Sequence, residues 1–364
     1  MKKYNTLSLL TLAIAFTACS EQKNLEKNVL SINTSSLKQL YHSNEALKLS
    51  LNLAENTQLD SVAYFLNNTR IGSVKGNEAL DYSLNNQPLG KTTIKGVAYA
   101  SGSSAEVTNT IEIASAITPK LLNYKIVNTY PHDKTAYTQG LEFYNGILYE
   151  STGNGEGGAL AGTQGVNKGI SSVRQVDYKT GKVIKIHKFP ADIFGEGCTI
   201  LNNKLYQLTY KNNKGHIFDP ETLTLEGTFN YFQNMEGWGL TNDGTYLYMT
   251  DGSEKIYKLD AKTFQKVSEI SVYTDNGPVP YVNELEWVNG KIYANFYGIQ
   301  AVIAVIDPKT GAVEGVIDFS KLVDLLEKHP DLDVFNGIAY NPQTKTFFVT
   351  GKNWDKMFEV QITE

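Results

Sequence analysis

Five short stretches of the sequence share one layout: Gln139-Gly140-Leu141, Glu196-Gly197-Cys198, Trp238-Gly239-Leu240, Asn283-Glu284-Leu285 and Asn336-Gly337-Ile338. Their second and third positions largely repeat, as packing symmetry demands. The first position is Gln, Glu, Trp, Asn and Asn, a mixed set that symmetry alone does not require. Glu196 is the one carboxylate there, flanked by Phe194, Gly195 and Gly197. Burial of such a side chain lifts its pKa toward the range where it can shuttle a proton near neutrality. Trp238, between Gly237 and Gly239, suits a stacking wall. Taken singly, Gln139, Asn283 and Asn336 would serve as well to satisfy turn backbone. Their convergence with Glu196 and Trp238 is what points to a site.

Such convergence needs elements that bring the five stretches together, and the sequence repeats them. Each stretch enters a hairpin: Leu141 to Tyr149 around Asn145-Gly146, Thr199 to Leu208 around Asn202-Asn203, Leu240 to Met249 around Asn242-Asp243-Gly244, Leu285 to Ala294 around Asn289-Gly290, and Ile338 to Val349 around Pro342. Asn-Gly and its kin between alternating strands are the strongest short hairpin signal. An Asp-x-x-Thr marker then recurs at Asp177/Thr180, Asp219/Thr222, Asp260/Thr263 and Asp307/Thr310, spaced 42, 41 and 47 residues apart, where Asp caps a turn before an outer strand. That period matches a four-stranded propeller blade of about 40 to 50 residues. Residues 119–364 are therefore expected to form a five-bladed β-propeller, with the stretches ringing one mouth of its channel. The last blade lacks a strand, and Leu122 to Tyr130 is available to supply it and close the ring. Two segments break the period. Gly153 to Gly169 is a Gly-rich loop with the composition of a lid, and Ser320 to His329 has helical spacing at Leu322, Leu325 and Leu326.

Ahead of this repeat, residues 29–116 alternate in short runs such as Leu47-Leu49-Leu51-Leu53, Val62-Tyr64-Leu66 and Thr93-Lys95-Val97-Tyr99. They read as a small immunoglobulin-like β-sandwich without the cysteine pair or core Trp of antibody domains. No catalytic constellation is visible there, and a spacer role is expected. Residues 20–28 are a polar tether. Lys2 and Lys3, the largely apolar run Leu7 to Phe16 and Thr17-Ala18-Cys19-Ser20 have the layout of an export signal over residues 1–19. The run is about half the roughly 20 residues a membrane-spanning helix needs. Cys19 resembles the lipid-bearing cysteine of a bacterial lipoprotein, with Phe16 where Leu is usual, so the expected location is the cell envelope, lipid-anchored. Cys198 is then left without a disulfide partner and is expected to be a buried thiol. The whole chain of 364 residues, with 22 Tyr, 15 Phe and abundant Gly, suits two mostly β domains. A net charge of -5 with no basic block lacks the footprint of a nucleic-acid binder.

The ordered set Tyr130-Pro131-His132-Asp133, Tyr137-Thr138-Gln139-Gly140-Leu141, Glu150-Ser151-Thr152-Gly153, Gly195-Glu196-Gly197, Trp238-Gly239-Leu240-Thr241-Asn242-Asp243-Gly244, Asp251-Gly252-Ser253, Asn283-Glu284-Leu285-Glu286, Asn336-Gly337-Ile338-Ala339-Tyr340 and Val349-Thr350-Gly351-Lys352-Asn353-Trp354 resembles the plant-type glutaminyl cyclases over about residues 121–362. The resemblance implies closure of N-terminal glutamine into pyroglutamate with loss of ammonia. It implies Glu196 as the acid/base carboxylate, Gln139, Asn283 and Lys352 as polar catalytic residues, and Trp238, Phe194, Tyr137, Tyr210 and Tyr297 as substrate contacts; Asn336, from its ring position, is expected to contact substrate as well. Tyr210 and Tyr297 stand where that family often has Trp, and Tyr137 where it often has Phe. N-terminal glutaminyl peptides are the implied partners. The resemblance also allows a divalent cation on the propeller axis, for which the sequence names no ligands; His132, His187, His216 and His329 are scattered without zinc-site spacing, and catalysis is expected to need no metal. A non-catalytic surface propeller holding peptide or sugar would use the same channel and release no ammonia. A metal-dependent lactonase would need more carboxylates at the ring than Glu196 provides.

Overall fold

The computed structural model describes residues 30–153, 169–298 and 301–363. The export signal, Cys19, the tether and residues 154–168 of the Gly-rich loop lie outside these. The described chain is built from strands, with a single short helix at Ser320–Val323.

Turn chemistry sets where the strands fold back. Asn145 and Gly146 take φ of 50° and 80°, and Asn202 with Asn203 and Asn289 with Gly290 repeat that left-handed pair. Two consecutive positive φ values are what a two-residue hairpin loop between right-twisted strands requires. Leu141 pairs with Glu150, Leu240 with Met249, Leu285 with Ala294 and Ile338 with Val349. The Asp-x-x-Thr markers close the next turns, with the Thr hydroxyl donating to the Asp carboxylate at 2.7 to 3.0 Å in all four copies.

Three four-stranded antiparallel meanders result: Thr138–Tyr144 through Lys182–Lys188, Gly195–Leu201 through Leu225–Asn230, and Leu240–Asn242 through Lys266–Ser271. A fourth runs from Val282–Val288 to Val313–Asp318. The fifth group, Phe335–Asn341, Thr346–Gly351 and Lys356–Thr363, takes its outer strand from far back in the chain. Lys120–Pro131 lies antiparallel to Lys356–Thr363, from Asn123 opposite Thr363 to Pro131 opposite Lys356. Residues 120–122 also pair in parallel with residues 315–317, which joins the fourth and fifth groups into one eight-stranded sheet. The five opening strands pack in a closed cycle: Thr138–Tyr144 lies against Gly195–Leu201, then Leu240–Asn242, Val282–Val288 and Phe335–Asn341, which returns to Thr138–Tyr144. Apolar residues fill the spaces between neighbouring sheets, for example Leu141, Phe143 and Val176 against Ala339, Phe348 and Met357.

Two local expectations need correction. The helix spans four residues rather than ten: past Val323 the chain tightens into turns, with Leu325 N on Leu322 O and Leu326 N on Val323 O, and Glu327 N donates to the Asp355 carboxylate at 3.0 Å, while Pro330 disfavours helical backbone at His329. Leu322 and Leu326 are buried all the same. Along Gly90–Ala100 the sequence alternates on Thr93, Lys95, Val97 and Tyr99, but the buried residues are Gly90, Thr92, Ile94, Gly96, Val97 and Ala98, and Tyr99 is 42% exposed.

The chain divides into two compact units. The smaller groups residues 30–37 with Lys48–Tyr82 and Thr93–Asn109. In it Leu30–Ile32 pairs with Leu51–Leu53, and Ser61–Leu66 lies between Thr69–Lys75 and residues 94–99, antiparallel to both. The larger holds Lys38–Leu47, Ser83–Thr92 and Thr110–Glu364, whereas the sequence reading parts the chain at 116–119.

Candidate active site

The ring positions coincide with breaks in strand pairing. The register between the first two strands shifts at Thr138/Gly140, Gly195/Cys198, Val282/Leu285 and Phe335/Ile338, so that Gln139, Glu196, Asn283 and Asn336 all lie on bulges. A bulge re-aims its side chain out of the strand's alternation. Trp238 precedes the short strand Leu240–Asn242 and is anchored through Trp238 N to Thr250 O and Gly239 N to Thr250 Oγ1. The glycines that follow are forced by the close approach of neighbouring opening strands. A Cβ on Gly239 would stand 1.9 Å from Asn283 O, and one on Gly140 or Gly197 within 2.6 Å of backbone nitrogen in the next strand.

Tyr137, Gln139, Phe194, Glu196, Tyr210, Trp238, Asn283, Tyr297 and Lys352 close on one cavity of about 120 Å³. Its walls are aromatic. Tyr137 meets Phe194 edge-on at 6.2 Å, Phe194 meets Tyr210 at 5.7 Å, and Trp238 meets Tyr297 edge-on at 5.6 Å. Tyr297 is 42% exposed, whereas Glu196, Gln139, Asn283 and Lys352 are buried. The Lys352 ammonium lies 4.7 Å from the centre of the Tyr137 ring and 4.9 Å from that of Tyr297, contacts that stabilise a buried cation. Backbone bonds from Lys352 N to Val334 O and from Asp333 N to Lys352 O fix its segment, and the Tyr137 hydroxyl donates to Asp333 Oδ2 at 3.0 Å.

Burial pushes the Glu196 carboxyl well above its ordinary 4.5 against the pull of the Lys352 ammonium, and Glu236 adds to the rise. Burial likewise raises the phenol of Tyr137, helped by Asp333, and that of Tyr210, to about 12, helped by Glu236. The cavity thus offers a carboxyl poised for proton transfer, one ammonium and two amides. Asn283 Oδ1 is buried and has no hydrogen-bond partner among the described residues.

Nine of the ten catalytic and substrate-contact residues expected from the sequence line this cavity. Asn336 does not; its Nδ2 donates to Thr138 O at 3.0 Å and to Gln139 Oε1 at 3.2 Å, behind the wall. Cys198 is buried, and burial holds its thiol well above the ordinary value, an inert state. Sequence reasoning missed Glu236, which accepts from Trp238 Nε1 at 3.1 Å and stands 3.6 Å from Lys211 Nζ. The repeat held the signal, because Glu236 precedes its ring residue by two positions, as Tyr137 and Phe194 do. It also missed the buried network behind Gln139, where Glu150 accepts from Thr138 Oγ1 at 2.6 Å and Arg174 Nε at 2.9 Å and lies 3.0 Å from His132 Nε2. Among the described residues no three His, Cys, Asp or Glu side chains are grouped to hold a metal ion.

An all-β chain that closes a small aromatic cavity around one carboxyl and one ammonium, both buried, defines an acid/base enzyme for a small polar group. Comparison makes that class particular. A family model described as glutamine cyclotransferase matches residues 97–362, and the chain belongs to that family. It is 38% identical over 244 residues to the glutaminyl-peptide cyclotransferase of Arabidopsis thaliana, covering 66% of this chain and 71% of that protein. The crystal structure of Myxococcus xanthus glutaminyl cyclase superposes with a TM-score of 0.59 at 33% identity, over 67% of this chain and 98% of that one.

Proposed function

We infer that this protein is a glutaminyl-peptide cyclotransferase, which converts N-terminal glutaminyl peptides to pyroglutamyl peptides with release of ammonia. The observation that carries the reading is the burial of Glu196 in an aromatic cavity lined also by Lys352, Gln139 and Asn283, in a chain of this family. The substrate's α-nitrogen attacks its own γ-carboxamide carbon, the new C–N bond closes the five-membered ring, and the old C–N bond breaks. Glu196, as carboxylate, takes the proton that the attacking nitrogen sheds and returns it to the departing nitrogen, which leaves as ammonia. Lys352, with the amides of Asn283 and Gln139, holds the carboxamide and steadies its oxygen as it gains negative charge. Trp238, Phe194, Tyr137 and Tyr210 hold the glutamine side chain with its amine close to the carbon it attacks, and exclude water. The rest of the peptide leaves past the half-exposed Tyr297.

No step in this scheme uses a metal. Ammonia release from a short Gln-initiated peptide with chelator present tests the reading, and Glu196→Gln should abolish turnover while the protein folds normally. Substantial turnover by that variant would remove Glu196 from the shuttle; a folded wild type that only binds the peptide would return the alternative of a binding module.

The closed cycle of five opening strands supports a five-bladed propeller, and the pairing within residues 30–109 supports an immunoglobulin-like module ahead of it. The sequence of residues 1–19 supports export and a lipid on Cys19. A Cys19→Ala protein that stays with the membrane fraction and shows no lost lipid mass would sink that part of the proposal.

A further inference from the structure

We propose that Asn336 is a positioning residue that acts through Gln139: it turns the Gln139 amide so that its nitrogen faces the cavity, and so sets which way round a substrate carboxamide is held. The inference rests on the cyclotransferase reading and concerns a residue that the sequence placed among the substrate contacts.

The orientation follows from three links. A backbone carbonyl can only accept, so the atom of the Asn336 amide 3.0 Å from Thr138 O is its nitrogen. That same nitrogen lies 3.2 Å from the Gln139 amide, whose nearer atom must then be the acceptor Oε1. With Oε1 turned toward Asn336, Nε2 is the polar atom that Gln139 has left for the cavity it lines. Amide orientation in a protein is read from such a network rather than from shape, and here the chain of partners leaves one solution.

Two further observations favour a role beyond packing. Asn336 is buried, and its Oδ1 has no hydrogen-bond partner among the described residues. A buried amide oxygen left unpaired is costly, and an apolar residue of similar size would avoid the cost. The cost is offset by what Nδ2 does. A primary carboxamide carries one acceptor oxygen and one donor nitrogen, so an N–H donor at Gln139, in the same cavity as the Lys352 ammonium, favours the sense that gives the carbonyl oxygen two donors. Turning Gln139 round would set an acceptor in place of that donor against the substrate's carbonyl oxygen.

The test is a double-mutant cycle on the full chain, with Asn336→Ala and Gln139→Met, the second keeping length while removing amide polarity. The readout is kcat/KM for ammonia release from a short Gln-initiated peptide, with thermal midpoints to verify folding. Asn336→Ala is expected to lower kcat/KM about tenfold, the scale of one hydrogen bond, and to have no further effect in the Q139M background. Multiplicative losses in the two variants, or wild-type kinetics in Asn336→Ala, would overturn the proposal and leave the cyclotransferase reading standing. Wild-type protein that releases no ammonia would overturn both. Should Asn336→Ala fail to fold, Asn336→Asp keeps the size and accepts rather than donates at that position. It is expected to lower kcat/KM in wild type and not in Q139M, and an equal loss in both backgrounds would count against the proposal.

Discussion

Glu196 must be ionised to take a proton from the attacking amine, and its neighbours decide at what pH that holds. Burial raises its pKa most, Lys352 opposes the rise and Glu236 adds to it; the phenols of Tyr137, Tyr210 and Tyr231 feel its charge in turn. Because the carboxylate is the active form, kcat/KM should fall as pH falls through this raised value. Glu236→Gln removes a negative charge, makes ionisation of Glu196 easier, and should move the acid limb of the kcat/KM profile to lower pH. Glu236 is partly exposed, so the shift should be less than about one unit. Lys352→Met removes the opposing cation and should move the limb upward as well as slow turnover. Profiles measured on one peptide hold the substrate amine constant, so the displacement between variants reports on Glu196. An unmoved limb in Glu236→Gln would show that Glu236 serves only to hold the Trp238 indole.

At the scale of elements, the site depends on bulges at one end of the opening strands and on glycines that admit their neighbours. Gly252, at φ +80°, lies flat against the Trp238 indole, and a Cβ there would stand 2.6 Å from two of its ring atoms. Gly252→Ala should therefore displace Trp238 and raise KM severalfold in a protein that still folds, because a side chain can yield. Gly239→Ala meets backbone, at 1.9 Å from Asn283 O, and should yield little folded protein. Expression and KM of the two variants separate the cases, and a Gly239→Ala protein as stable as wild type would refute the account of the repeat. These features also mark what the sequence could disclose. Hairpins, Asp-x-x-Thr turns and the ring register were legible because each is local and recurs. The lining of the cavity followed from that register and from family resemblance together. The Asn336 orientation was not legible, since it depends on which atom of one amide faces which atom of another across two sheets. Nor were the early end of the helix and the buried face of Gly90–Ala100, where Ile94 and Ala98 are buried along with Val97.

Across the larger unit, the opening strands of neighbouring groups do not pair in a ladder with one another, yet their backbone donors still need partners. Carboxyl groups supply several. Glu284 Oε1 accepts from Leu141 N at 3.2 Å and Oε2 from Ile338 N at 2.9 Å; Glu286 Oε1 accepts from Tyr340 N at 2.7 Å; Glu142 Oε2 accepts from Thr199 Oγ1 at 2.7 Å. These bonds tie the fourth opening strand to the first and fifth, and the first to the second. Loss of water around them pushes Glu284 and Glu286 well above 4.5 and Glu142 up to about 7, and the carboxyls reinforce one another. A carboxyl whose pKa is higher folded than unfolded binds its proton more tightly in the folded state. Its contribution is complete below about 4.5 and is lost as pH rises through the folded value. Thermal stability should accordingly decline from pH 5 to pH 9, at about 2–4 °C for each kcal/mol lost. Glu286→Gln keeps the acceptor for Tyr340 N and replaces the protonated oxygen with an amide that cannot ionise. Its midpoint should lie near that of wild type at pH 5 and fall less by pH 9, both because residue 286 no longer ionises and because Glu142 loses a like-charged neighbour. Parallel declines in the two proteins would mean that these carboxyls are ionised in the folded state across that range and that the strands are held together at the cost of buried charge.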